Sequence, residues 1–157
     1  MFYTYERLMQ MNYKKKKHAV YLCTYHMVFV TKYRKPVISD DIGDSMKNYA
    51  AYLVQGSGGE LISIETEKDH MHLLVSLPPD LSPTKMVRTL KGSLSKYVKE
   101  KYRQELLKYY WDAKTPFWSP SYFVATTGSV SLEKVREYVN SQRSEEHQAK
   151  KANRHSR

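Results

Sequence analysis

Between Val20 and Val30 the chain is rich in β-branched and aromatic residues, and Tyr21, Cys23, Tyr25, Met27 and Phe29 occupy every second position. That period predicts a strand. Leu61 to Thr66 alternates in the same way, and His70 to Leu77 forms a further strand closed by Pro78 and Pro79. The two are expected to pair as a hairpin around Glu67, Lys68 and Asp69. Between these strands, Ser39 and Asp40 offer N-caps, and Ile42, Met46, Tyr49, Ala50 and Leu53 recur at helical spacing until Gly56, Gly58 and Gly59 stop the helix. Ser82 followed by Pro83 opens a second helix, expected to run to about Arg103. Its positions, about 100° apart, put Met86, Val87, Leu90, Leu94, Tyr97 and Val98 on one face and Lys85, Arg88, Gly92, Lys96, Lys99 and Arg103 on the other. After an aromatic loop, Tyr122 to Thr126 reads as the last strand, Thr127-Gly128-Ser129 as a flexible joint, and Ser131 as the cap of a final helix to roughly His147. The order strand, helix, strand, strand, helix, strand, helix predicts an α+β fold. It is that of a ferredoxin-like split βαβ sandwich, an antiparallel sheet with helices on one face and an additional C-terminal helix.

A chain of 157 residues with 41% apolar content supports one domain, placed at residues 18–147. Residues 1–17, which end in four lysines, read as a mobile basic arm, and residues 148–157 as a polar basic tail. An excess of 26 Lys and Arg over 16 Asp and Glu, a formal charge of +10, points to a polyanionic partner, with nucleic acid foremost. The 14 tyrosines add flat surfaces on which unpaired bases can stack, although most tyrosines simply pack with a wet hydroxyl. A lone cysteine, Cys23, has no internal disulfide partner and fits a reducing, cytoplasmic compartment. No apolar run approaches the roughly twenty residues that a bilayer needs, so no membrane is expected.

Two constellations carry candidate chemistry. His70 and His72 are two apart on a strand, so both imidazoles project to one side while Met71, Leu73, Val75 and Leu77 project to the other, toward the helices. Two imidazoles at this spacing can share one divalent ion; alone, the motif also reads as a pair of exposed or locally bonded histidines. Tyr138 and Gln142 lie one helical turn apart, about 6 Å. A phenol is a poor nucleophile at neutral pH and needs a nearby cation, whose protein ligands an amide oxygen one turn away can complete. Taken alone, Tyr138 also reads as a packing residue beside Val135 and Val139. Two neutral imidazoles and a neutral amide would leave the full charge of Mg²⁺ or Mn²⁺ to polarise a phosphate.

These residues resemble the HUH nucleases, and within them the single-tyrosine transposases of small insertion sequences that move as single-stranded DNA. The resemblance rests on the segments Tyr25 to Val37, Asp69 to Leu74, Leu90 to Gly92, Phe117 to Tyr122 and Val135 to Gln142, in that order. It implies His70 and His72 as paired metal ligands, Gln142 as the third, and Tyr138 as a nucleophile that leaves a 5′-phosphotyrosine and a free 3′-OH. It further implies hairpin recognition in single-stranded DNA, no nucleotide cofactor, and a homodimer in which the Tyr138 helix can complete the partner's site, hinged at Thr127-Gly128-Ser129.

The basic face of the Pro83 helix, through Lys85, Arg88, Lys96 and Lys99, together with Lys32, Arg34 and Lys35, is the candidate phosphate contact; a merely solvated face is its alternative. Gly92 in that face is expected to let a DNA backbone approach. Trp111, Phe117 and Trp118 are candidates for stacking on bases, with at least two expected in the core instead. Two other functions fit the same residues. One is a domesticated relative that processes chromosomal hairpin repeats, and the other a non-catalytic ferredoxin-like nucleic-acid-binding module.

Overall fold

The computed structural model of the chain describes residues 13–110, 112, 114–126 and 138–141. In chain order the elements are β1 (Lys14–Lys16), β2 (Ala19–Tyr21), β3 (Thr24–Val30), a 3-10 turn (Lys32–Arg34), α1 (Asp40–Gly56), β4 (Glu60–Glu67), β5 (His70–Ser76), α2 (Pro83–Lys101), the short α3 (Arg103–Leu106) and β6 (Phe123–Thr126). Four strands form one antiparallel sheet in the order β4-β5-β3-β6. The hairpin β4-β5 turns at Lys68 and Asp69, as the alternation predicts. The connections β3-α1-β4 and β5-α2-β6 each skip over one strand, which makes this the split βαβ arrangement expected.

Each helix forms where its sequence provides ends and an apolar face. Ser39 Oγ accepts from the Ile42 amide and Ser82 Oγ from that of Lys85, and Pro83 occupies the first turn of α2, where its missing N–H costs nothing. After α1 the chain turns through Gly58 at φ +83°, a conformation that favours glycine. Ile42, Met46, Ala50 and Val54 of α1 and Met86, Val87, Leu90, Leu94 and Val98 of α2 bury against Met27, Phe29, Met71, Leu73 and Val75. That is the helical face read from the sequence, packed on one face of the sheet.

Two expectations are corrected. The strand from Val20 to Val30 is interrupted at Leu22 and Cys23, so β2 and β3 belong to different sheets. Lys14–Lys16, expected within a mobile arm, is a strand paired with Ala19–Tyr21, and Lys14 also forms an ion pair with Glu60. Exposed lysines accept this because a strand's backbone pairs while its side chains stay in water. The Pro83 helix ends at Lys101, with Tyr102 at φ −120° as its C-cap, in keeping with the expected limit of about Arg103. Residues 1–12, Trp111, the joint at Thr127-Gly128-Ser129, the cap Ser131, and the segment from Gln142 through His147 to the tail lie outside the described residues.

Gly92 has open space where a Cβ would stand. An exposed glycine inside a helix costs about 1 kcal/mol relative to alanine. Gly92→Ala is therefore expected to raise the melting temperature by about 2–4 °C, read by circular dichroism.

Candidate active site on the second face of the sheet

Alternation along β3 and β5 sends two sets of side chains away from the helices. In the β3-β5 register Val28 stands opposite His72 and Val30 opposite His70. Directly opposed residues share a face, so His70 and His72 sit beside Val28 and Val30, on the reverse of Met27, Phe29, Met71 and Leu73. This is the division that the period of two predicts. That face is partly covered: Val28 and Val30 are fully buried there, under Val139, with Phe123 and Tyr138 packed at the margin.

Residues 138–141 are helical, and they bring Tyr138 to the histidine side. The Tyr138 ring is half-buried and tilted against Phe123, with centroids 5.3 Å apart. Its hydroxyl lies 3.2 Å from Ser121 Oγ. Ser121 is itself held in a loop that α2 ties down: Lys91 Nζ donates to the carbonyls of Ser119, Pro120 and Ser121 at 2.7, 3.3 and 3.1 Å. Burial holds the Lys91 ammonium below its usual pKa, and the three carbonyls compensate for lost hydration.

The histidines differ in their surroundings. Asp69 Oδ1 accepts from His70 Nδ1–H at 2.8 Å, which leaves the Nε2 lone pair of His70 for another partner. Asp69 stays ionised: the hydrogen bond from His70 lowers its pKa most, burial opposes this, and Arg34 lowers it further. His72 Nε2 lies 3.0 Å from His26 Nδ1, one of the two carrying the proton, and the rings stack with centroids 5.2 Å apart. Burial first, then the neighbouring His26 and His70, push the His72 pKa down, so its neutral form is favoured. Two imidazoles on one face, His72 favoured in its neutral form and His70 oriented by a carboxylate, are a donor set suited to a divalent ion. The residues thus fit a metal, although among the described residues no group of three or more His, Cys, Asp or Glu is spaced to hold one unaided. Gln142, the expected third ligand, lies outside the described residues.

His26, Asp69 and Ser121 were not singled out from the sequence. Asp69 adjoins His70 and was legible as its neighbour, whereas His26 meets His72 only through strand pairing 46 positions away. Of the residues proposed for phosphate contact, Lys85, Arg88 and Lys96 are exposed on α2, and Lys99 is half-buried. Lys32 lies over the Tyr33 ring at 4.8 Å, and Lys35 is half-buried. Arg34 is turned onto Asp69, with 20% of its side chain exposed. Phe117 and Trp118 are core residues, as expected for two of the three loop aromatics. An open groove of about 500 Å³ passes Arg88, Lys91, Gly92, Pro120 and Tyr122, joining the basic face of α2 to the loop that carries Ser121.

Residues 19–142 match the model of the family described as IS200-like transposases. The ISDra2 transposase TnpA of Deinococcus radiodurans is 29% identical over 139 residues, which cover 88% of this chain and 97% of that protein. The transposase for insertion sequence element IS200 of Salmonella typhimurium is 27% identical over 133 residues, 85% of either chain. Among solved structures, a transposase crystal structure from Deinococcus radiodurans superimposes with a TM-score of 0.75 at 29% identity, covering 82% of this chain and 97% of that one. A REP-associated tyrosine transposase bound to a REP hairpin shares the fold, with a TM-score of 0.50 at 13% identity over 80% of this chain and 67% of that one. A split βαβ sheet of this kind is the fold of the single-tyrosine transposases. This chain belongs to the IS200-like transposase family. Its class of activity is therefore DNA transposition, the cutting and joining of DNA. No described helix is long and apolar enough to cross a membrane.

Proposed function

We propose that the chain cleaves and rejoins single-stranded DNA through a covalent bond to Tyr138, with a divalent ion, Mg²⁺ or Mn²⁺, held by His70, His72 and Gln142. One observation carries this reading: Tyr138 packs with Val28 and Val30, whose opposite residues across β3-β5 are His72 and His70. The phenol oxygen attacks the scissile phosphorus, a bond forms from phosphorus to tyrosine, and the bond to the 3′ oxygen breaks. The phenol proton passes to solvent and the departing 3′ oxygen takes one up. One phosphoester replaces another, so a second 3′-OH can reverse the exchange without nucleotide hydrolysis. Bound between His70 and His72, the ion would supply positive charge to the phosphate oxygens and the phenolate. Ser121 positions the tyrosine hydroxyl, and Asp69 fixes the ring of His70.

The DNA partner belongs to the same proposal: hairpins near the element's ends, held by Lys85, Arg88 and Lys96 on α2. So does a homodimer, in which the Tyr138 helix can serve the site of its own chain or complete the partner's. The fold neighbour bound to a REP hairpin is in keeping with such a substrate. Each lysine or arginine that neutralises a duplex phosphate adds about 0.9 to the slope of log affinity against log salt. Replacing Lys85, Arg88 and Lys96 by glutamine is expected to flatten that slope by about 3, measured by fluorescence anisotropy on a hairpin oligonucleotide.

The reading is tested by incubating the protein with Mg²⁺ or Mn²⁺ and labelled single-stranded oligonucleotides carrying the hairpins and flanks beside its own gene. A denaturing gel should show a protein-DNA adduct that EDTA removes, and mass spectrometry of the digested adduct should place the phosphate on Tyr138. Tight binding without an adduct under either metal would favour the non-catalytic module instead.

A further inference from the structure

The 3-10 turn after β3 is built in an unfavourable backbone conformation. Tyr33 and Arg34 have φ of 58° and 49°, in the left-handed region that residues with a Cβ seldom adopt. The surroundings hold the turn there: Thr31 donates its amide to the Asp69 carbonyl at 2.9 Å, its hydroxyl lies 2.8 Å from the Lys35 carbonyl and 3.1 Å from that of Asp69, and Ile38 donates its amide to the Lys68 carbonyl at 2.9 Å. Strain kept against a relaxed alternative marks a place where the direction of a side chain matters. Here the side chain directed is that of Arg34.

Its guanidinium touches two elements at once. Arg34 Nε donates to Asp69 Oδ2 at 2.8 Å, while the other carboxylate oxygen, Oδ1, accepts from His70 Nδ1 at 2.8 Å. Arg34 Nη1 donates to Asn140 Oδ1 at 3.3 Å. Asn140 is two residues beyond Tyr138, so on a helix the two point about 200° apart. Val139, between them, is buried against Val28 and Val30. An anchor at Asn140, with Val139 as pivot, therefore fixes the rotation of the helix about its axis, and with it the direction of Tyr138.

We infer that Arg34 is a positioning residue that couples the seat of the Tyr138 helix to the orientation of His70, so that the nucleophile and the metal ligand are set by one guanidinium. The inference rests on the proposed roles of Tyr138 and His70. Its physical requirement is a fork: one arm reaches a carboxylate and the other a neutral amide, a geometry that a lysine ammonium cannot reproduce. Anything that seats the helix through Asn140 also holds Arg34 on Asp69, and the converse follows by linkage.

Mn²⁺ affinity of the full chain, followed by electron paramagnetic resonance, and the rate of adduct formation at saturating Mn²⁺ read the two arms separately. Arg34→Gln should weaken Mn²⁺ binding about tenfold, the size of effect known for residues that orient metal ligands. Asn140→Ala should slow adduct formation about fivefold, as for one lost hydrogen bond. Arg34→Lys, which keeps the charge beside Asp69 and guards against a fold defect, should restore most of the Mn²⁺ affinity but leave the adduct rate as slow as in Asn140→Ala. The double variant Arg34→Lys with Asn140→Ala should be no slower than either alone. Unchanged Mn²⁺ affinity in Arg34→Gln, or rates that multiply in the double variant, would overturn the coupling. His70→Ala and Tyr138→Phe serve as controls. If they lose Mn²⁺ binding and the adduct respectively while the Arg34 variants match the wild type, only the coupling fails; if they do not, the roles on which it rests fail and the coupling with them.

Discussion

Tyr138→Phe is expected to abolish the covalent adduct, with a loss of about 10⁴-fold or more in strand cleavage, while the protein folds and binds hairpin DNA as before. Only the phenol oxygen is removed. The ring keeps its place against Phe123 and its packing with Val28 and Val30. The hydroxyl's contact with Ser121 Oγ at 3.2 Å is lost, which costs at most about 1 kcal/mol and about 2–4 °C in melting temperature. Gel assay, anisotropy and thermal melting together separate chemistry from folding. Residual adduct at a comparable rate would show another nucleophile and remove Tyr138 from its proposed role. Ser121→Ala should fall between the wild type and Tyr138→Phe, since it leaves the nucleophile but releases its hydroxyl.

The second large effect is on stability. Phe29 is fully buried, stands opposite Met71 in the β3-β5 register, and meets the edge of Trp118 with ring centroids 5.8 Å apart. Phe29→Ala removes most of that side chain from a packed interior and leaves a cavity, a change that costs about 3–5 kcal/mol. In a domain of this size that lowers the melting temperature by about 10 °C. Phe29 faces the helices while its neighbours Val28 and Val30 seat the Tyr138 segment, so the variant should also lose adduct formation on warming, before wild type does. Circular dichroism and the adduct assay over the same temperatures check this. A melting temperature within a degree or two of the wild type would show that the layer around Phe29 carries far less of the stability than its burial indicates.

Much of the architecture was legible because its causes are local. Ser39 and Ser82 cap helices from within three residues, and the periods of two and 3.6 divide β5 and α2 into buried and outward rows without reference to any partner. Placing both histidines opposite Met71 and Leu73 needed nothing more. The interruption at Leu22 and Cys23 was not visible, because a β-branched run reads the same whether its residues pair in one sheet or two. The strand Lys14–Lys16 was missed because its side chains carry no apolar period, and only its pairing with Ala19–Tyr21 defines it.

What the sequence by itself determined, then, is the order of the two long helices and the strands of the four-stranded sheet, the outward face of α2, and the side of β5 on which His70 and His72 stand. Tertiary structure alone decided that β3 lies between β5 and β6, bringing His26 within 3.0 Å of His72 and Val28 and Val30 under the Tyr138 segment. It also turned two cations inward that the charge pattern could not tell from surface ones. Lys91 lies across the carbonyls of residues 119–121, and Arg34 lies between Asp69 and Asn140. The physical reason is the range of the contacts. Caps and alternation act over a few residues, whereas the partners of His26, Lys91 and Arg34 lie 28 to 106 positions away and become neighbours only when the sheet assembles.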